Sequence, residues 1–188
     1  MAKIEFPTGV IISNVSITHE IPTLQTESLS LTSRGRTRGI HRIKGSFDVH
    51  ITDFEAQQAW TAFLLKMQGR FNSFELNLPR HFKSDARNPQ LTLAAGIGAS
   101  TLSVNGGNYV KVGTCFNVPN DNKTYYITDI NGDQFTIFPK LRTAQLVNTE
   151  INVQTPVINC RFAEDNQTVT YSENGMLIKQ TINFVEVF

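Results

Sequence analysis

The sequence predicts a mainly β chain with one helix, a discontinuous β-sandwich that carries a small OB-like β-barrel as an inserted domain. Three observations lead there. Residues Arg42 to Ile51, RIKGSFDVHI, alternate along their length. Ile43, Gly45, Phe47, Val49 and Ile51 take one side, and Arg42, Lys44, Ser46, Asp48 and His50 take the other. A strand sends successive side chains to opposite faces, so one face is expected on a core and one in water. From about residue 90 to 155 the texture changes to short apolar runs separated by Gly, Asn and Asp. The remainder, from Val157 to Phe188, holds two or three amphipathic strands that are too few to fold alone.

Taken in order, Val15, Ile17, His19 and Ile21 alternate, as do Leu29 and Leu31 in ESLSLTS, so both stretches are expected as strands. Pro22 in EIPTLQ interrupts the ladder between them. SRGRTRG, residues 33 to 39, has the composition of a mobile loop or an edge. After the Arg42–Ile51 strand, Thr52-Asp53-Phe54-Glu55 fits a capping box, with a hydroxyl cap and a Glu three residues on. Trp60, Phe63, Leu64 and Met67 then fall at i, i+3, i+4 and i+7, which predicts a helix over 53–67 that stops at Gly69. Phe71, Phe74, Leu76 and Leu78 resume a strand as far as Pro79.

In the middle block, TLSV, YVKVGTCFNV, KTYYITDI, DQFTIF and EINVQT read as short strands. Asn105-Gly106 and Asn131-Gly132 are turn dipeptides, the second flanked as a hairpin should be. Closely spaced short strands of this kind suit a small barrel. Pro156 ends the block, and the closing strands, with turns at Glu164-Asp165-Asn166 and Asn174-Gly175, return to the opening sheet. The expected domains are 1–88 plus 157–188 as the sandwich and 89–156 as the inserted barrel, since insertion is tolerated at exposed loops.

Composition narrows the function. A net charge of +1 supplies no field to recruit nucleic acid. No apolar run approaches the ~20 residues that span a bilayer, so no membrane insertion is expected. MAKIEFPTG lacks the apolar core of a signal peptide, and the chain is expected to be made and kept in a cytoplasm. Cys115 and Cys160, the two cysteines, are too few and too far apart for a disulfide framework or a zinc site, and read as half-buried thiols. The four histidines, His19, His41, His50 and His81, show no metal-ligand spacing, so no metal or cofactor is expected.

No catalytic constellation stands out. His81, Ser84 and Asp85 lie close together in PRHFKSDAR, but triads are assembled by geometry and rarely from chain neighbours. No GxSxG elbow occurs. GGNYVKVG and AAGIGAS lack the lysine-hydroxyl ending of a phosphate loop, and turn glycines explain them. The strongest candidate for functional charge is Arg34, Arg36 and Arg38, as a loop that pairs with acidic groups of a neighbouring subunit. A solvated loop is the plainer account of the same residues.

This order of elements resembles the distal tail proteins (Dit) of bacteriophages with long non-contractile tails. TRGIHRIKGSFDVHITDFEAQQAWTAFLLKMQGRFNSFELNLP looks like that family's strand–helix–strand core, and TINFVEVF looks like its closing strand. GTCFNV, KTYYITDI, FTIFPKLRTA and EINVQTPV are similar to the barrel segment of some such tail proteins. The resemblance implies a structural virion protein and not an enzyme. It implies a hexameric ring of copies of the chain that joins the tail tube protein above to the tail hub or other baseplate proteins below. It places the protein in the virion tail, after synthesis and assembly in the host cytoplasm. No contact residue carries over by motif, and the arginine segment is nominated only because a closed ring needs head-to-tail contacts. The alternative is a host-surface saccharide-binding module on the barrel, with Tyr109, Tyr125, Tyr126 and Phe135 as the aromatics available to it. Alternating aromatics are as readily barrel core. A hydrolase centred on His81 and Asp85 ranks below both.

Overall fold

A computed structural model describes residues 2–77, 82–173 and 177–188. The described chain is mainly β with one helix, comprising a β-sandwich part and a small barrel part. It divides into two compact units: Met1–Thr18, Ile43–Pro79 and Val157–Phe188 in the first, His19–Arg42 and Arg80–Pro156 in the second. The grouping differs from the sequence-based domain bounds at residues 19–42 and 80–88, which join the barrel segment and not the sandwich.

In the first unit the strands are β1 (Lys3–Ile4), β2 (Val10–Glu20, whose last two residues fall in the second unit), β5 (Arg42–Ile51, whose first residue does so too), β6 (Ser73–Asn77), β12 (Val157–Phe162), β13 (Thr170–Tyr171) and β14 (Leu177–Glu186). They form one sheet in the order β1-β6-β12-β14-β5-β2, with β13 added on β14. The return strands therefore fill the centre. β12 pairs with β6 from Val157↔Asn77 to Cys160↔Phe74, and β14 pairs with β5 from Gln180↔Val49 to Val185↔Lys44. Glu186, itself buried, accepts a hydrogen bond from the Ile43 amide at 2.9 Å, so the closing strand and β5 meet in one interior.

The alternation of β5 has its cause in that interior. Ile43, Phe47, Val49 and Ile51 are buried, and Phe47 joins Phe6, Phe74 and Phe184 in ring contact. The opposite face is less wet than the pattern predicts. Asp48 is 6 % exposed, because Thr181 donates to it at 2.6 Å, Asn14 at 2.8 Å, and Lys179 lies 2.9 Å away. Those bonds, the one from Thr181 first, hold its carboxyl well below the usual carboxylate range.

The helix α1 spans Phe54–Met67 and lays Trp60, Phe63 and Met67 on the sheet, with Phe63 against Phe74 and Phe162. Trp60 donates its indole N–H to buried Gln180 at 2.8 Å, which satisfies one polar atom that burial would otherwise strand. The cap is Asp53, one residue later than the Thr52 that the capping-box pattern nominates. Its carboxylate accepts from the Ala56 amide at 2.7 Å. A carboxylate does this better than a hydroxyl, because its charge also meets the positive end of the helix dipole. Asp53→Ala is expected to cost about 1 kcal/mol in a chemical melt while Thr52→Ala costs a few tenths. Equal effects would return the cap to Thr52. The helix ends with Gln68 in the left-handed region at φ 51°, followed by Gly69 at φ 63°.

Phe71 does not join the strand as expected and is exposed before β6; Leu78 lies outside the described residues, as do Pro79, His81 and the Asn174-Gly175 turn. Cys160 is fully buried and not half-buried, which pushes its thiol up.

The second unit holds a five-stranded antiparallel sheet in the order β7-β8-β11-β10-β9, made of β7 (Gln90–Leu91), β8 (Thr101–Asn105), β11 (Gln134–Phe138), β10 (Tyr125–Asn131) and β9 (Cys115–Phe116). Inside it pack Leu102, Val104, Phe116, Tyr125, Ile127, Phe135 and Ile137, with the Phe116 and Tyr125 rings stacked at 5.4 Å. Cys115 is buried here as well. The β10–β11 hairpin turns at Gly132, φ 57°, as the Asn131-Gly132 dipeptide predicts. EINVQT forms no strand. Instead Glu150 bridges to Gln90 at one sheet edge and Asn152 bridges to Asn117 beside the other, so the segment closes the curled sheet by single bridges.

The same unit contains a two-stranded ribbon, β3 (Thr23–Glu27) and β4 (Ser33–Thr37). Leu29 and Leu31, expected in a strand, form its tip instead and are exposed. The Ser28 and Thr32 backbones bond across the tip, and the Ser28 hydroxyl accepts from the Thr32 amide at 3.2 Å, so serine turn chemistry outweighs a two-leucine alternation.

Candidate functional site

Arg34, Arg36 and Arg38 sit not on a loop but along β4 and its end. Arg34 lies opposite Thr26 and Arg36 opposite Leu24, so period-two geometry sets these two on one side of the ribbon, with Arg38 directly after the strand. Every residue of β3 and β4 is exposed. No carboxylate pairs with these arginines among the described residues. Leu24, Leu29, Leu31 and Ile40 add exposed apolar area to the same segment. A two-stranded ribbon is marginal alone, and its outer edges carry unpaired backbone groups.

The three tyrosines separate. Tyr125 is fully buried, donates to Asp121 at 2.6 Å and accepts from the Arg142 amide at 3.0 Å. Burial, reinforced by Asp121, pushes its phenol well up. It is a core residue, as is Phe135. Tyr126 is half-buried and packs edge-on against the rings of His19 and His41. Tyr109 alone of the three presents its ring to solvent, at 81 % exposure.

The histidine contacts are the part of the molecule that spacing did not reveal. His19 Nδ1 lies 2.9 Å from His41 Nε2, and His41 Nδ1 lies 3.3 Å from the ammonium of Lys123, which is 1 % exposed. The two imidazoles stack at 5.1 Å, and Phe138 covers His41 from another side. Desolvation first, then the charge of Lys123 and the neighbouring His19, lower the His41 pKa to about 4. The three residues are separated by 22 and 82 positions, and no local pattern joins them.

A cleft of about 920 Å³ opens beside the barrel strands between residues 83–90 and 105–114. Tyr109, Lys83, Arg87 and Lys111 line it, together with Asn105 and Asn108. Asp85 also lies in it, and Ser84 accepts from the Ala86 amide at 3.1 Å, which folds the turn. His81, the third member of the hydrolase reading, lies outside the described residues. No group of three His, Cys, Asp or Glu side chains converges among the described residues. Among the described residues no helix is long and apolar enough to cross a membrane.

No protein-family model matches the chain, and no curated protein matches it.

Proposed function

We propose that the protein is a structural component of a bacteriophage tail tip, a distal tail protein. In this reading it forms a ring, of six copies by the family resemblance, between the tail tube and the tail hub or baseplate. It acts as an adaptor and not as an enzyme, and it works in the virion tail after assembly in the host cytoplasm. The single observation that carries the reading is the exposed β3–β4 ribbon. A solvent-exposed two-stranded ribbon with one side of arginines and a leucine tip is costly in a monomer and useful at a subunit boundary. Heterologous contacts of one ribbon on the next copy close a ring when the rotation closes.

Light scattering of the purified chain is expected to give roughly six chain masses, or a concentration-dependent approach to that value. Reversing the charge with Arg34→Glu, Arg36→Glu and Arg38→Glu together is expected to leave monomers of unchanged circular dichroism. A wild-type chain that stays monomeric at high concentration, or a triple variant that assembles normally, argues against the ribbon as the contact.

The saccharide alternative keeps one of its nominated aromatics, Tyr109. Tyr125 belongs to the core, and Tyr126 is committed to the histidine pair.

A further inference from the structure

We propose that the cleft bearing Lys83, Arg87, Tyr109 and Lys111 is a binding site for an acidic saccharide. The cleft lies wholly within the second unit and deepens the saccharide alternative. It rests on that reading and not on the ring. Its volume, about 920 Å³, is in the range of sites that hold small organic ligands.

Three features select the ligand class. Tyr109 is an amphipathic aromatic at 81 % exposure, and a free aromatic face suits the C–H face of a sugar ring. Lys83, Arg87 and Lys111 set three cations against the one carboxylate of Asp85, a local excess of +2 in a chain whose whole net charge is +1. That excess favours a ligand with anionic groups, and the Arg87 guanidinium suits a carboxylate or a phosphate bidentately. Asn105, Asn108 and Gln90 each offer an acceptor and a two-proton donor, the pairing that vicinal hydroxyls require.

The wall is held before any ligand arrives. The Asn88 amide donates to Glu150 at 2.7 Å, and its oxygen accepts from the Val153 and Gln154 amides at 3.0 and 3.2 Å. Thr114 and Ala86, which belong to the lining, are themselves buried. A preformed wall reduces the ordering cost of binding. Single-stranded nucleic acid is the less suited polyanion, because it needs successive aromatic platforms and the lining has one.

Calorimetric titration of the full chain tests this with four probes: oligogalacturonate, a phosphomannan oligosaccharide, neutral maltohexaose and oligo-dT. At least one acidic glycan is expected to bind, with maltohexaose about tenfold weaker or worse. Which acidic glycan binds tells a carboxylate ligand from a phosphate one. Tyr109→Ala is expected to weaken that binding about tenfold at unchanged melting temperature, the scale of one lost stacking platform. Arg87→Gln with Lys111→Gln is expected to bring the acidic glycan down to the level of maltohexaose. Four outcomes overturn the proposal: neither acidic glycan binds, Tyr109→Ala changes nothing, the neutral glycan binds equally well, or oligo-dT binds tighter than both. Equal binding of neutral and acidic glycans overturns the acidic class while leaving the saccharide reading standing. No glycan binding at all overturns both.

Discussion

Gly45→Ala is expected to unfold the first unit or leave it barely folded at room temperature. An alanine Cβ at this position meets the Ser16 carbonyl oxygen at 2.0 Å and the Phe184 ring at 2.8 Å. The first of these is backbone, which cannot rotate out of the way. Gly45 stands on β5 directly opposite Phe184 of β14, with β2 on its other side, so relief demands that a neighbouring strand move. Overpacking a tight core costs about 1–3 kcal/mol where side chains can shift, and more where a backbone must. Against a total stability of roughly 5–15 kcal/mol, that loss is large. Gly96→Ala is the control, since nothing lies within 4 Å of its Cβ. It is expected to move the denaturation midpoint within about ±0.5 kcal/mol. A Gly45→Ala protein that melts beside the wild type would falsify the packing of β2 and β14 around β5.

The second unit is expected to lose stability in acid through His41. Its folded pKa, about 4, lies below the ordinary 6.5, so the folded ring stays neutral while the unfolded ring takes up a proton. The unfolded state then binds more protons between those values, and stability rises with pH across that window. The contribution is intact above about pH 6.5 and fades as pH falls towards 4, by at most ~3 kcal/mol at 1.36 kcal/mol per unit. The groups that face His41 act in one direction. Lys123 and His19 are cationic or can become so, and Tyr126 and Phe138 contribute no acid. His41→Gln, which hydrogen-bonds but does not titrate, is expected to flatten the pH dependence of the denaturant midpoint from pH 7 to 4. If the variant and the wild type lose stability in parallel, the histidine contacts are not the source.

Much of the scaffold could be read in advance, and the reasons are local. The β5 core face follows from strict alternation, and α1 from apolar residues at helical spacing behind an acidic first turn. The hairpin at Gly132 follows from a dipeptide that accepts positive φ. What escaped has partners distant along the chain. Asp48 reads as a wetted residue until Thr181 and Lys179 are brought beside it by the β14–β5 pairing. β4 reads as a loop or an edge because arginine and glycine carry no strand pattern; only the register with β3 decides for a strand. EINVQT reads as a strand, yet it spends its backbone groups on two different edges.

The candidate sites divide along the same line. Composition points to the arginine triplet and to Tyr109, and the structure supplies their setting: a ribbon in the first case, the wall of a cleft in the second. In sequence Tyr125 and Tyr126 stand beside Tyr109 on equal terms, because an aromatic in a β run is the same letter whether it faces a core or a ligand.

Residue order alone was enough to state where the chain bends, where it coils into a helix and which side of β5 is oily. Those properties arise between neighbours a few positions apart, through backbone sterics and side-chain periodicity. Folding in three dimensions decided that Glu186 meets Ile43, that His19 meets His41 beside Lys123, and that a cleft opens between the segments carrying Lys83 and Tyr109. Each of these depends on which distant strands and loops come to lie side by side, and only the buried interior of each unit selects that arrangement.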